Sequence, residues 1–441
     1  MHISLTHLLI ALIAGIASIV LLTARYKVHA FFALFIACFV VGLSVQMPVD
    51  AILKAMKEGF GHIMSSLALI IVLGATLGVL LEHTGSTKVM ADYILRKTGE
   101  RRAPLAMSIT GFVVGLPIFC DSGYIVLSGL AKSLARRTGT AITIIAVSLA
   151  TGLYSVHCLI PPHPGMSAAA AALHIDYGRL ILTGILVAIP ASMAGYAWAV
   201  YAGKKMADAE VAETSGDMAT QHLKPIQAFL PVFVPIVLIA LNSFLSGNNS
   251  GAGVLSGILN VMGEPVIALS AGIVLALFNA RKGAGSFTHV LQEAAEKAGG
   301  ILVIIGAGGA FGAVLAATNP AGHFAGMAIG GKLALLFPFL VTFVLKTAQG
   351  SSTVAIITAS SLVQPLLPAL GLDSENGRLL AVLGMGAGSM MISHANDAYF
   401  WVIAKFSGFE MKAMLKVYSV ASVWMGLVTL GVIYLLSFFM L

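Results

Sequence analysis

Residues 104–137 read PLAMSITGFVVGLPIFCDSGYIVLSGLAKSLARR. Two apolar runs flank the cluster GLPIFCDSG at 115–123, and the second run ends in Lys132, Arg136 and Arg137. Gly, Pro and polar residues in the middle of an apolar stretch punctuate a helix. The stretch therefore reads as either a broken span or a hairpin that enters a membrane and returns, and the rest of the chain decides between them.

The chain has 441 residues, of which 58% are hydrophobic and 10% charged. A soluble domain carries about 25% charged residues, so the solvent of this chain is mostly lipid. Its 47 glycines suit closely packed and broken membrane helices. The first 23 residues are apolar, but no charge precedes them, and Arg25 and Lys27 follow. That is the reverse of a secretory signal, so a first spanning helix with its N-terminus outside is expected. Cys38, Cys120 and Cys158 all lie in apolar stretches. Three thiols without a CxxC motif give neither a metal site nor a disulfide framework and act as small hydrophobes. No metal and no cofactor is expected.

Apolar segments of spanning length occur at about 5–23, 28–46, 61–82, 178–202, 226–246, 262–279, 299–317 and 417–440. Regions 103–174 and 333–407 are apolar but interrupted. If each segment crosses once and 104–135 enters and returns, 19 of the 25 Lys and Arg residues fall inside, Lys297 among them. Lys54, Lys57, Arg179, Lys332 and Arg378 fall outside, and Lys346 lies within the membrane. The positive-inside bias is met only if 104–135 re-enters. The net charge of +7 is thus a topology signal and does not point to nucleic acid.

The chain also repeats. IVLGATLGVLLE at 71–82 matches IGAGGAFGAVLA at 305–316, with Gly78 on Gly312 at a shift of 312 − 78 = 234. The same shift carries Pro104 to Pro338, and the polar break at His157 matches that at His394. The charge-derived topology runs 61–82 inward and 299–317 outward, so the two halves are expected to be inverted repeats with a site near the midplane. The expected organisation is N-terminal scaffold helices 1–60, a first repeat 61–202 with hairpin ~104–135 and broken helix ~140–174, a cytoplasmic linker 203–224, scaffold helices 225–298, and a second repeat 299–441 with hairpin ~333–368 and broken helix ~378–407.

Non-helical backbone survives at membrane depth only when buried in protein or facing water, and four such places stand out. The tip of the first hairpin holds Asp121, Ser122 and Gly123. An intramembrane acid is costly and by default functional; Asp121 serves as a proton carrier, a ligand, or a cap of the returning helix. The tip of the second holds Lys346, Gly350, Ser351, Ser352 and Thr353. Hydroxyls and free N–H groups at a helix start make an anion site, with Lys346 as its cation. The first unwound stretch holds His157, Pro161, Pro162 and His163. Two adjacent prolines break the helix, and either imidazole is suited to relay protons. The second unwound stretch holds His394, Asn396 and Asp397. Its amide and acid suit a polyol, and Asp397 is a second candidate for the coupling ion.

At these motifs the sequence resembles the gluconate:proton symporter (gluconate permease) family of the ion-transporter superfamily. The matching stretches are GLPIFCDSGYIVLSGLAKSLARRTG from 115, PPHPG at 161–165, IGAGGAFGAVL at 305–315, AQGSSTVAIITA at 348–359 and SHANDAYFW at 393–401. The resemblance implies an all-α polytopic inner-membrane protein with a scaffold and an elevator-type transport domain, working as a homodimer. It implies proton-coupled import of gluconate or a related sugar acid. The departures at Cys120–Gly123, and Lys346 where some members carry Arg, leave the substrate open within the family.

The expected mechanism seats a hydroxylated anion between the two tips. Its carboxylate meets Lys346 and the N–H groups at Ser351–Thr353; its hydroxyls meet Asp121, Ser122, Asn396 and Asp397. A proton on Asp121 or Asp397, relayed by His157 or His394, couples uptake to the gradient. The rivals are a sodium-coupled carboxylate transporter of the same fold and a D-serine or glycerate transporter of the same family. A passive channel and an intramembrane protease are weaker, the second because no HExxH or GxSxG motif is present.

Overall fold

The computed structural model describes residues 5–204, 223–247, 254–279, 287–318 and 332–441. The expected linker at 203–224 lies almost wholly outside the described residues, as do Lys205, Arg281 and Lys282. Among the described residues, every regular element is helical.

The chain opens with α1 (Leu5–Val20) and α2 (Ala30–Ser44), followed by the long α3 (Val49–His83) and α4 (Ser86–Thr98). Helices α5 (Ala103–Gly115) and α6 (Cys120–Thr138) form the first hairpin. Then come α7 (Ile142–Leu159), α8 (Pro164–Ala172) and α9 (Tyr177–Gly203). Helices α10 (Pro225–Gly247), α11 (Val254–Met262) and α12 (Pro265–Asn279) lead to α13 (Phe287–Ala317). The second hairpin is α14 (Leu336–Gln349) and α15 (Ser352–Val363). The chain ends with α16 (Glu375–Met390), α17 (Ala398–Ser407) and α18 (Met411–Met440). Seven of the described helical segments are long and apolar enough to cross a membrane.

Helix bounds in the second part echo those of the first. The end of α3 maps onto the end of α13 at 317 − 83 = 234, and the start of α8 onto that of α17 at 398 − 164 = 234. Packing echoes it too. Helix α5 lies on α7 and α14 on α16, while α8 of the first half packs on α15 of the second and α17 on α6. The two long helices α3 and α13 pack on one another, as do α9 and α18.

One expectation is corrected at the level of helices. The sequence reading starts the glycine-rich spans at residues 61 and 299, but α3 runs unbroken from Val49 and α13 from Phe287. Lys54, Lys57 and Glu58 look like a polar break in the sequence. On the helix they form an exposed face, with Lys54 and Glu58 paired at i,i+4. At 35 residues α3 is about 52 Å long, well beyond a hydrocarbon core of ~30 Å.

The repeated glycines let backbones approach. A Cβ at Gly78 would stand 3.0 Å from the carbonyl oxygen of Pro117 at the first hairpin tip, and one at Gly74 3.3 Å from Pro162 of the first unwound stretch. On α13, a Cβ at Gly308 would meet Ile357 of α15 at 2.4 Å. Ser361 of α15 donates to the Gly308 carbonyl at 2.7 Å. The glycine pattern thus seats each hairpin against a long helix, which is what places the two tips.

Candidate functional site

The turn between α14 and α15 is built on Gly350, whose φ of +83° favours glycine. Its Cα also faces the Asn396 carbonyl oxygen so closely that a Cβ would stand 2.0 Å from it. Ser351 then caps α15 by accepting from the Val354 N–H at 3.3 Å. A helix start leaves four N–H groups without intrahelical partners, and one cap leaves the others open to a ligand. The second unwound stretch is tied to this turn. Asn396 Nδ2 donates to the Thr347 carbonyl at 2.7 Å, and His394 Nε2 lies 3.1 Å from the same oxygen.

The first unwound stretch is fixed in a different way. His163 is buried, and its Nε2 lies 2.8 Å from the Gly115 carbonyl at the end of α5. His157 Nε2 reaches Thr353 Oγ1 at 3.4 Å, so the break of the first half touches the hairpin of the second.

A cavity of about 420 Å³ lies between these elements. The first tip contributes Asp121 and Ser122, the second Gly350, Ser351, Ser352 and Thr353, and the unwound stretches His157, Asn396 and Asp397. Of the residues expected at the site, Gly123, Lys346, His394, Pro161, Pro162 and His163 do not line it. Gly123 packs against Leu153 of α7, where a Cβ would fall 2.8 Å from the leucine.

Lys346 is the main correction. It is 1% exposed, and its Nζ lies 2.6 Å from Asp397 Oδ2 while also donating to the Gly350 carbonyl. The Asp397 carboxylate accepts in addition from Ser393 Oγ and, as the cap of α17, from the Tyr399 N–H at 3.0 Å. The expected substrate cation and one of the expected coupling acids thus neutralise each other. Two charges buried together need each other, because removing either leaves an uncompensated ion. Asp121 differs. Among the described residues its hydrogen-bond contact is the Cys120 thiol, at 3.8 Å, and it has no ion pair.

Two of the polar lining residues that sequence reasoning missed stand out. Lys297, read as a cytoplasmic charge, sits 297 − 287 = 10 residues into α13 and lines the cavity, with Nζ 3.4 Å from Ser122 Oγ. It also faces Glu293 at 2.9 Å and Glu82 at 3.7 Å. Gln349 is the other. Both of its amide atoms are buried without a hydrogen-bond partner among the described residues, as are Asn396 Oδ1 and His157 Nδ1. Native structures leave few such groups unpaired. A usable signal for Gln349 was its position beside Gly350; Lys297 carried none, because the start of α13 was misplaced.

A helical membrane protein with a polar cavity at the meeting of two helix breaks and two hairpin turns has the build of a solute carrier. The chain matches the model of the GntP family permease over residues 6–439 and belongs to that family. It is therefore a multi-pass membrane permease and not an enzyme. It is 33% identical to a gluconate permease of Pseudomonas aeruginosa, covering 98% of this chain and 97% of that protein. It is 28% identical to a D-serine transporter of Escherichia coli, with 97% of each covered. The fold is shared with the YdaH transporter of Alcanivorax borkumensis at a TM-score of 0.61 and 17% identity, over 86% of this chain and 87% of that one.

Proposed function

We propose that this protein imports gluconate or a related sugar acid across the bacterial inner membrane, driven by proton symport. The observation that carries the reading is the lining of the cavity: among the described residues it holds Lys297, whose ammonium is shared with Glu293 and Glu82 and also reaches Ser122, the uncapped N–H groups of α15, and the unpartnered polar atoms of Gln349, Asn396 and His157. A carboxylate suits the cation and the helix start. A row of hydroxyls suits amides, which both donate and accept. In this reading Lys346 and Asp397 hold the second tip in shape. Asp121, an acid on the cavity wall without a cation partner, carries the coupling proton, and His157 hands it on.

We read the constant helix offset as two inverted repeats, the turns at 116–119 and 350–351 as the tips of re-entrant hairpins, and the hairpins with the unwound helices as a domain that moves against a scaffold. The 13 residues of α5 span only about 20 Å, short of the ~20 residues a crossing helix needs, which supports re-entry.

The D-serine reading has one observation in its favour: the free Asp121 carboxylate would accept an ammonium group. A thermal-stability screen of the purified protein separates the two. Stabilisation by gluconate and other aldonates but not by D-serine is expected; stabilisation by D-serine alone would replace the sugar-acid reading.

A further inference from the structure

A second cluster stands at the adjoining ends of α3 and α13. His289 and Glu293 are four residues apart on α13 and so share a helix face. His83, the last residue of α3, meets them from the facing helix. Its Nε2 is 2.9 Å from Glu293 Oε2, and its ring centroid is 6.4 Å from that of His289. One ligand atom from each of the three lies within 4.8 Å of the others. The three residues span a sequence separation of 210, which is why the sequence shows no metal-ligand spacing.

We propose that His83, His289 and Glu293 bind a divalent first-row transition ion, with zinc the best match. Two imidazoles and one carboxylate are the donor set of an open, four-coordinate zinc site, with water in the fourth position. Magnesium and calcium take oxygen ligands and are disfavoured by the imidazoles. One surrounding favours a cation and another orients its ligand. The C-terminus of α3, where His83 sits, is the negative end of its dipole. Lys297 contacts Glu293 through Oε1, at 2.9 Å, and so holds the carboxylate with Oε2 turned to His83. Such partners of a ligating carboxylate orient it. The ion would pin the two longest helices together beside Lys297, the residue that reaches the cavity.

The test uses full-length protein in detergent, purified on a tag without histidine, and titrated with Co²⁺. The expected result is about one ion per chain, visible absorption bands of four- or five-coordinate cobalt, and loss of those bands on adding Zn²⁺. His83→Ala and His289→Ala are each expected to weaken binding about tenfold or more, and Glu293→Gln likewise. All three side chains are at the surface or half-buried, so thermal midpoints should hold. His62→Ala, from the separate His62–His174 pair, should change nothing. Absent bands, or bands equally strong in the His83 and His289 variants, would show surface adsorption and overturn the proposal.

Discussion

At the scale of single residues, the site turns on which charges are already matched. Lys346 and Asp397 are, at 2.6 Å in a buried pair. Lys346→Met or Asp397→Leu alone is expected to destabilise the protein by about 3–5 kcal/mol, while Lys346→Met with Asp397→Leu recovers most of that loss. Thermal midpoints of the two single variants and the double in detergent measure this as a cycle. Gln349 lies at the other extreme, with two unspent hydrogen-bonding atoms. Gln349→Leu is expected to raise the half-saturation concentration for gluconate about tenfold, or ~1.4 kcal/mol, with no fall in thermal midpoint. The sequence marked stretches that the structure brings to the cavity, but not these contacts. Lys346 and Asp397 are 51 residues apart, and only the turn at Gly350 brings them together.

At the scale of elements, two hairpins and two unwound helices are held by close backbone approaches. Gly350→Ala adds a Cβ 2.0 Å from the Asn396 carbonyl at a φ of +83°. It should cost at least ~1–3 kcal/mol and abolish uptake, because the second tip and the second break must separate. Gly139 also has positive φ, +64°, but with open space around it. Gly139→Ala is expected to cost about 1 kcal/mol and leave uptake intact. Comparing the two variants for thermal midpoint and uptake separates strain from collision. These elements were legible because their signals are local: Pro-Pro, a Gly-Ser-Ser cap, a glycine pair at a fixed shift. The true starts of α3 and α13 were not, because a charged face on a helix that outruns the membrane looks like a loop when only polarity is read.

At the scale of the whole molecule, the account rests on the first hairpin re-entering and on one cavity serving both halves. The all-helical, membrane-spanning class was legible from composition and charge placement, since both follow from lipid as the solvent. The cross-packing of α8 on α15 and of α17 on α6 was not, because nothing in a linear pattern says that one half's break lies on the other half's hairpin. Re-entry makes a direct prediction. With Cys38, Cys120 and Cys158 replaced by alanine, Arg102→Cys and Lys132→Cys should both react with an impermeant thiol reagent from the same face of the membrane. Reaction from opposite faces would make the hairpin a pair of full crossings.

The central claim is that the cavity at Asp121 moves a hydroxylated anion together with a proton. Proteoliposomes with an imposed pH gradient, alkaline inside, test it most directly. The account predicts that the wild type accumulates radiolabelled gluconate about tenfold or more above the level without a gradient. It predicts that Asp121→Asn still exchanges gluconate across the membrane but no longer responds to the gradient. Uptake that ignores the gradient in the wild type, or follows it undiminished in Asp121→Asn, would contradict the account.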